Sequence, residues 1–391
     1  MDKNSVIGFV LIALIFIGFT VFQSDRARKA AELQAQQDSI ALAQMPPQQM
    51  ASETVIGSGE PVLESSRPVA IYKDSLLESA SKAQESIVTL ENDVLEMKLT
   101  TRGAKPYSVR LKKFRNYDST DLYIFRPGGA EYSVSLYTGE YIQTKDFNFS
   151  LAAVTDSSVV MRLPFEGGGY IEQKYTLLGE SYRVDNQLSF VGMQGVIPRN
   201  VSSYDIDFEL TMPRMEKGYK NETQYSKLDY YFDGDKKPVE IGRGRSASKR
   251  VESRLSWFAF QQQFFSAIVR APQQFSSGEL GINFFLQDDP ERNLMACSAK
   301  MRAELAQGDN VSVPLEFYFG PNDYKTLKSY DQKYEKIIPL GGWLVGWFTK
   351  YAIIPMFDFF SRFISNFGII ILLMTIVIKL VVFPLTYKSY A

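Results

Sequence analysis

Lys379 holds the most expensive position in this sequence. It sits inside the run Phe367–Phe383, which is otherwise free of charge and reads GIIILLMTIVIKLVVF after its first phenylalanine. A charge near the middle of a spanning helix costs about 2.5–3.5 kcal/mol on insertion scales, partly relieved when the side chain snorkels to the interface. Two readings stay open: the ammonium snorkels toward Pro384, or it faces a water-filled groove between helices. Thr375 lies one turn earlier on the same face, so a hydroxyl and an ammonium would line one stripe. Such a stripe makes and breaks no bonds. It offers polar solvation at a depth where the bilayer offers none.

The rest of the chain has little covalent chemistry to offer. It has no histidine, which removes Ser-His-Asp triads, Cys-His pairs and His-ligated metal sites. Cys297 is the single cysteine, so an intrachain disulfide and thiolate metal clusters are excluded. Within Asn293–Ala299 it reads as a small core residue. Carboxylate pairs such as Asp288-Asp289 or Asp205/Asp207 carry no specific spacing. Gly167-Gly168-Gly169 precedes a strand pattern and lacks the helix that a phosphate loop requires. A formal net charge of -1 gives no reason to expect nucleic acid. An enzyme is not expected, and no metal or cofactor is implied. Large β-sandwiches often bind or isomerise sugars, but those isomerases use histidine as the acid; carbohydrate binding alone stays open.

At 391 residues the chain should hold about two or three structural units. Asn4–Ser24 has no charged residue, and Val6–Phe22 is almost wholly apolar. At 1.5 Å per residue that run reaches about 25 Å, enough to span with help from its flanks. Phe19–Ser24 offers no small-x-small cleavage site, so residues 1–24 read as an uncleaved transmembrane signal anchor. Arg26, Arg28 and Lys29 follow it, but long domains translocate largely regardless of such charge, which leaves orientation undecided. Ala30–Pro68 is rich in Ala, Gln, Ser and Pro, and residues 25–86 read as a flexible tether.

From Ile87 the pattern changes to period two. Leu95, Met97 and Leu99 alternate with Glu96, Lys98 and Thr100, and Ile206–Met212 and Val311–Phe319 do the same. Shorter runs, Tyr132–Tyr137, Val159–Leu163, Tyr170–Leu178 and Gly281–Leu286, are separated by turn residues. Strands at this spacing without helices between them predict a large antiparallel β-sandwich over 87–336. Pro314 inside one strand predicts an edge or a bulge. Glu216–Arg254, with Arg243, Arg245, Lys249, Arg250 and Arg254, reads as a solvated loop ahead of an anion- or headgroup-binding patch.

In Trp343–Ile364 the polar residues Lys350, Asp358, Ser361 and Arg362, followed by Ser365, fall in one sector at 100° per residue. The spacing predicts an amphipathic helix over 341–364, lying in the membrane interface and kinked near Pro355. Trp343, Trp347, Phe348, Lys350 and Arg362 are its expected anchoring side chains. A second transmembrane helix follows over 365–387, broken near Pro384, and 388–391 begin a cytoplasmic segment.

Several of these segments together resemble the YidC family of membrane protein insertases, across essentially the whole chain. Trp257-Phe-Ala-Phe-Gln-Gln-Gln-Phe-Phe265 looks like that family's motif in its periplasmic domain, which singles out Trp257, Gln262, Gln263 and Phe265. Phe317-Tyr-Phe-Gly-Pro-Asn-Asp-Tyr324 resembles its closing strand and following helix, with Phe319, Gly320 and Pro321. Asn366-Phe-Gly-Ile through Ile378-Lys379-Leu-Val-Val-Phe-Pro384-Leu-Thr386 is similar to its second transmembrane helix. The resemblance implies a multi-pass inner-membrane protein with a periplasmic β-supersandwich between its first two spans and its N-terminus in the cytoplasm. Lys379 falls where the family usually has a groove arginine, keeping the charge but losing the bidentate fork, and Thr375 matches a groove-lining threonine.

The implied partners are nascent integral membrane proteins, the Sec translocon with its accessory proteins, and membrane lipids, with a ribosome contact through residues beyond Ala391. The family's cytoplasmic hairpin and four further spans would also follow Ala391, so the chain is expected to be a piece of a longer protein. The alternative is a membrane-tethered periplasmic binding or scaffold protein whose second span is only an anchor.

Overall fold

Alternation of apolar and polar side chains builds three sheets whose inward residues meet in one core. The computed structural model describes residues 72–390, with side chains in the last helix as far as Phe383. The 1–24 anchor and most of the tether lie outside the described residues. One unit comprises Pro68–Pro339; the described residues from Leu340 onward belong to the other.

The first sheet is a meander of β1 (Ile87–Glu91), β2 (Leu95–Thr100), β3 (Lys105–Arg115) and β4 (Asp121–Phe125). A six-stranded sheet is built from β5 (Ala130–Tyr137), β6 (Tyr141–Gln143), β11 (Ser203–Pro213), β14 (Ala247–Val251), β17 (Ser277–Phe284) and β18 (Asn293–Glu304), in the order β14-β17-β18-β11-β5-β6. The remaining strands are β7 (Ser150–Val154), β8 (Ser158–Pro164), β9 (Tyr170–Leu177), β10 (Arg183–Val191), β12 (Lys227–Tyr231), β13 (Val239–Ile241), β15 (Leu255–Gln261), β16 (Phe265–Phe275) and β19 (Asn310–Pro321). They form a nine-stranded sheet in the order β13-β12-β15-β16-β19-β10-β9-β8-β7. Strand pairing among the described residues is antiparallel throughout.

Strand β11 shows why the sheets stack. Tyr204, Ile206, Phe208, Leu210 and Met212 are buried, whereas Asp205, Asp207, Glu209 and Thr211 face outward. Phe208 meets Phe258 of β15 at 5.7 Å and Phe317 of β19 at 6.1 Å, both edge-on, so the two large sheets interdigitate. The small sheet closes on the same core, with Phe125 edge-on to Phe319 at 5.5 Å and Phe114 to Phe265 at 5.2 Å. The antiparallel sandwich expected from the alternation is what forms. Cys297 is a buried residue of β18, and burial pushes its thiol up. Gly167–Gly169 turns β8 into β9, with Gly168 at φ 84°.

Pro314 sits in a strand that is central overall but locally an edge. It pairs with Gln187 of β10, while pairing to β16 stops at Glu316, so its missing N–H breaks no ladder bond on that side. Ahead of the sheets, α1 (Ser75–Lys82) falls inside the stretch read as tether. Asp74 accepts hydrogen bonds from the Leu76 and Leu77 amides, and Leu77 is buried.

The Glu216–Arg254 segment is not the solvated loop its charge suggests. It folds into α2 (Tyr219–Tyr225) and strands β12, β13 and β14, and all five residues of β12 are buried. Lys227 and Asp229 pair there at 3.0 Å, with Glu240 2.9 Å from the same Nζ. Arg243, Arg250 and Arg254 pair with Glu240, Glu252 and Glu304, which leaves no open cationic patch among those three.

Glu222 of α2 is 1% exposed and accepts from the Met215 amide at 2.8 Å. Burial pushes its carboxyl from the ordinary 4.5 to about 7, despite hydrogen bonds from the Met215 and Glu216 backbone. A raised carboxyl takes up a proton on folding. Its contribution to stability is present below pH 4.5 and is lost as pH rises through about 7. Urea midpoints should therefore be higher at pH 5 than at pH 8. Glu222→Gln should narrow that gap by on the order of 2–3 kcal/mol; an unchanged gap would assign the pH dependence to other groups.

The second unit contains α4 (Trp343–Phe348), a π-helical turn Thr349–Ile353, α5 (Ile354–Ser361) and α6 (Phe367–Tyr390). Helical backbone is continuous from Trp343 to Ser361, with the π turn set inside it. The π turn falls just before Pro355, which has no N–H to give and sits in the first turn of α5. Pro384 does not end the last helix, which continues to Tyr390; neighbouring backbone bonds carry it past the one that proline forgoes. Among the described residues no helix is long and apolar enough to cross a membrane.

Candidate functional site

The residues singled out near the end of the sandwich converge on three neighbouring strands of the nine-stranded sheet and the loops that join them. β15, β16 and β19 are neighbours, and their register sets Phe265 opposite Pro321, Ser266 opposite Gly320 and Ala267 opposite Phe319. Phe265 and Phe319 point into the sandwich core. Trp257 points the other way. It is fully buried, stacked on Tyr231 at 5.3 Å and edge-on to Tyr334 at 5.4 Å, and its indole N–H donates to the Gln332 carbonyl at 3.0 Å.

Tyr231, Trp257, Ile268, Tyr318, Leu327 and Tyr334 form a second core, separate from the inter-sheet one. It binds α3 (Tyr324–Ser329) and the short helix Tyr334–Ile337 to the sheet. Gly320 makes this possible. A Cβ there would stand 2.8 Å from both Tyr182 Cγ and the Tyr318 hydroxyl, and that hydroxyl donates to the Pro321 carbonyl at 2.6 Å.

Asn322 adds a polar clamp. It donates to the Gln262 carbonyl at 2.9 Å and to that of Gln263 at 3.4 Å, while its own side-chain oxygen accepts from Ser266 at 2.6 Å. Gln262 also donates from its amide to Pro213 at 2.7 Å, and the Gln263 side chain accepts from Asn221 at 3.5 Å. Tyr231, Tyr318, Asn322 and Tyr334 were absent from the sequence candidates. The available signal was Tyr330 and Tyr334, one helical turn apart directly after the closing strand.

In the second unit, Ile370 and Met374 are the buried positions of α6, and Phe367 stacks on Phe357 of α5 at 6.0 Å. Thr375 and Lys379 lie roughly 100–180° round the helix from those two buried positions and are exposed. Thr375 donates to the Ile371 carbonyl at 2.8 Å, so its hydroxyl still has accepting capacity to offer outward. The structure therefore brings the two groove candidates to one uncovered face. Trp347, Phe348, Lys350 and Tyr351 gather on the other helices of the unit. Trp347 and Phe348 are exposed, Trp347 lies 5.9 Å from Tyr351, and Lys350 sits 5.3 Å over the same ring. Arg362 is exposed at the end of α5. The Trp343 side chain lies outside the described residues.

Residues 87–355 match the family model of the YidC periplasmic domain. Relatives named membrane protein insertase YidC include one from Parabacteroides distasonis, 32% identical over all of this chain and 64% of its own length. Another, from Bacteroides fragilis, is 31% identical over all of this chain and 63% of its own. The chain thus spans slightly under two thirds of the length of the curated relatives it matches. Among solved structures, a galactose mutarotase related enzyme from Lactobacillus acidophilus is similar over 60% of this chain and 97% of its own, at 10% identity and a TM-score of 0.40. A putative aldose 1-epimerase from Escherichia coli K12 covers 61% of this chain and 100% of its own, at 10% identity and a TM-score of 0.37.

Proposed function

Because the chain belongs to the YidC family of membrane protein insertases, we propose that it inserts integral proteins into the inner membrane by lowering the cost of moving polar tails across it. The carrying observation is Thr375 and Lys379 one turn apart on the uncovered face of a helix that is otherwise apolar from Phe367 to Leu385. An ammonium and a hydroxyl at that depth hydrate a groove and attract acidic tail residues, while the substrate's apolar helix leaves along the lipid side. No nucleotide is required, because the gain is a difference in solvation.

In this reading residues 1–24 and α6 span the bilayer, α4 and α5 lie in its interface, and the sandwich stands in the periplasm. Taken as a span, α6 contributes the apolar stretch Phe367–Phe383, in which Lys379 is the single charge. The sandwich serves docking, with components of the Sec translocon as the partner class.

Insertion of a labelled substrate into vesicles carrying the protein from its complete reading frame tests the function. A tethered scaffold would give vesicles no more active than empty ones. Topology has its own test. In a Cys297→Ser background, cysteines placed at residues 4 and 388 should resist a membrane-impermeant maleimide applied to intact spheroplasts. Efficient labelling at either would put that end outside and refute the arrangement.

A further inference from the structure

A groove runs along the outward face of the six-stranded sheet, over β17 and β18. It consists of three depressions, of ≈ 500, ≈ 410 and ≈ 400 Å³. The first two share Asn283 and Ser298, and the second and third share Glu279 and Lys300, so they are continuous. From Ala296 to Arg302 the groove follows β18 for about 20 Å, at about 3.4 Å per residue. Tyr107 of β3 lines one end, and Tyr141 of β6, 60% exposed, lines the other. Small residues keep the floor low between them. A Cβ on Gly281 would stand 2.8 Å from Ser298 Oγ, and Ser248 lies opposite Gly281 on the next strand.

Polar side chains line it in rows. The register places Glu209, Ser298, Gly281 and Ser248 in one row across the strands, and Asp207, Lys300, Glu279 and Arg250 in the next. Part of the charge is tied up in pairs: Lys105 with Glu131 at 2.6 Å, Arg302 with Asp205 at 2.9 Å and Arg250 with Glu252 at 2.6 Å. Glu209, Glu279, Asn283 and Lys300 are exposed, and their side chains make no hydrogen bond or ion pair among the described residues. The groove therefore offers acceptors of two kinds beside a single free ammonium, with little net charge.

These groups narrow the ligand. The large apolar side chains of β11 and β18 point into the core, so an acyl chain or an apolar helix finds nothing to lie against. An ion would meet both signs. A polypeptide brings one N–H and one carbonyl per residue, each fixed in kind, and its carbonyls would face carboxylates. A hydroxyl donates or accepts as its neighbour requires, so a polyhydroxyl chain is served by carboxylate, amide and ammonium alike. We propose that this groove binds a neutral linear oligosaccharide, its hydroxyls on Glu209, Asn283, Glu279 and Lys300 and its end rings against Tyr107 and Tyr141. Binding moves no proton, in keeping with a chain that has no histidine, and it is independent of what the helices beyond Pro339 do.

The probes are oligomers of glucose, mannose, galactose and N-acetylglucosamine in graded lengths, with acidic oligogalacturonate beside them. They are printed as an array and exposed to the labelled, detergent-purified protein from its complete reading frame. At least one neutral series should bind, more tightly with length until the groove is filled. Titration calorimetry with that series then reads the variants. Tyr141→Ala and Glu279→Gln alter exposed side chains, so both should fold as wild type, and each should weaken binding about tenfold. A neutral ligand has no charge for salt to screen, so affinity should change less than about twofold with ionic strength. Absence of binding by every neutral oligomer at millimolar concentration would overturn the proposal. So would a bound glycan whose affinity both variants leave unchanged, or binding confined to oligogalacturonate and lost in high salt. A polar photopeptide that labels 277–284 or 296–302 and is not displaced by any of these oligomers would overturn it in favour of a peptide site.

Discussion

Lys379→Glu should reduce insertion of a substrate with an acidic translocated tail by tenfold or more, with a much smaller effect on a matched neutral tail. The change swaps attraction for repulsion at one depth. At an effective dielectric of about 20, a unit charge roughly 8 Å away contributes about 2 kcal/mol, so reversing its sign moves the barrier by more than that. Lys379→Ala removes only the attraction and should fall between. Lys379→Arg keeps the charge and adds a fork that suits carboxylates; it should insert at least as well as wild type.

What separates a groove charge from a snorkelling anchor is the ranking by substrate. A lysine that only reaches for the interface stabilises the protein's own helix, so its loss lowers protein level for every substrate alike. The measurement is insertion of paired substrates differing by one or two tail carboxylates, normalised to the amount of each variant in the vesicles. Equal defects across the pair would leave Lys379 as an anchor.

How much of this was legible in the sequence depends on which physical signal each part uses. Strands β2, β8, β9, β11 and β19 were readable because each has one buried face, and a period of two records that directly. β12 was not. Its residues are buried on both faces, and its Lys227 and Asp229 are tolerated there because each neutralises the other at 3.0 Å. A pattern of hydropathy sees two charges and reads a loop; only the pairing of β12 between β13 and β15 explains them. The same limit hid α1, whose eight residues bury little beyond Leu77 and Ala80. Lys379 and Thr375 could be singled out because cost and helical spacing are local properties. The aromatic anchor around Trp257 was only half found, because Tyr231, Tyr318 and Tyr334 reach it from three separate places in the chain.

That anchor carries the largest stability effect expected in the sandwich. Trp257→Ala should destabilise it by about 3–5 kcal/mol, the range for deleting a large buried aromatic, and lower its melting temperature by roughly 6–15 °C. The loss includes the stack on Tyr231, the edge contact with Tyr334 and the hydrogen bond to Gln332. Trp257→Phe should cost less, since it keeps an aromatic ring against Tyr231 and gives up the bond and the second ring. Gly320→Ala attacks the cluster from the strand below, forcing a methyl to within 2.8 Å of Tyr182 and Tyr318. The decisive readout is local. α3 and the Tyr334–Ile337 helix make their buried contacts chiefly through this cluster, and they lie immediately before the chain leaves the sandwich at Pro339. If the cluster fixes that exit, hydrogen exchange of the Tyr324–Ile338 amides should rise in Trp257→Ala well before the inter-sheet strands β10 and β11 respond. Uniform loosening of all strands, with no early response at 324–338, would make Trp257 ordinary core and remove its role as the anchor of the domain's last segment.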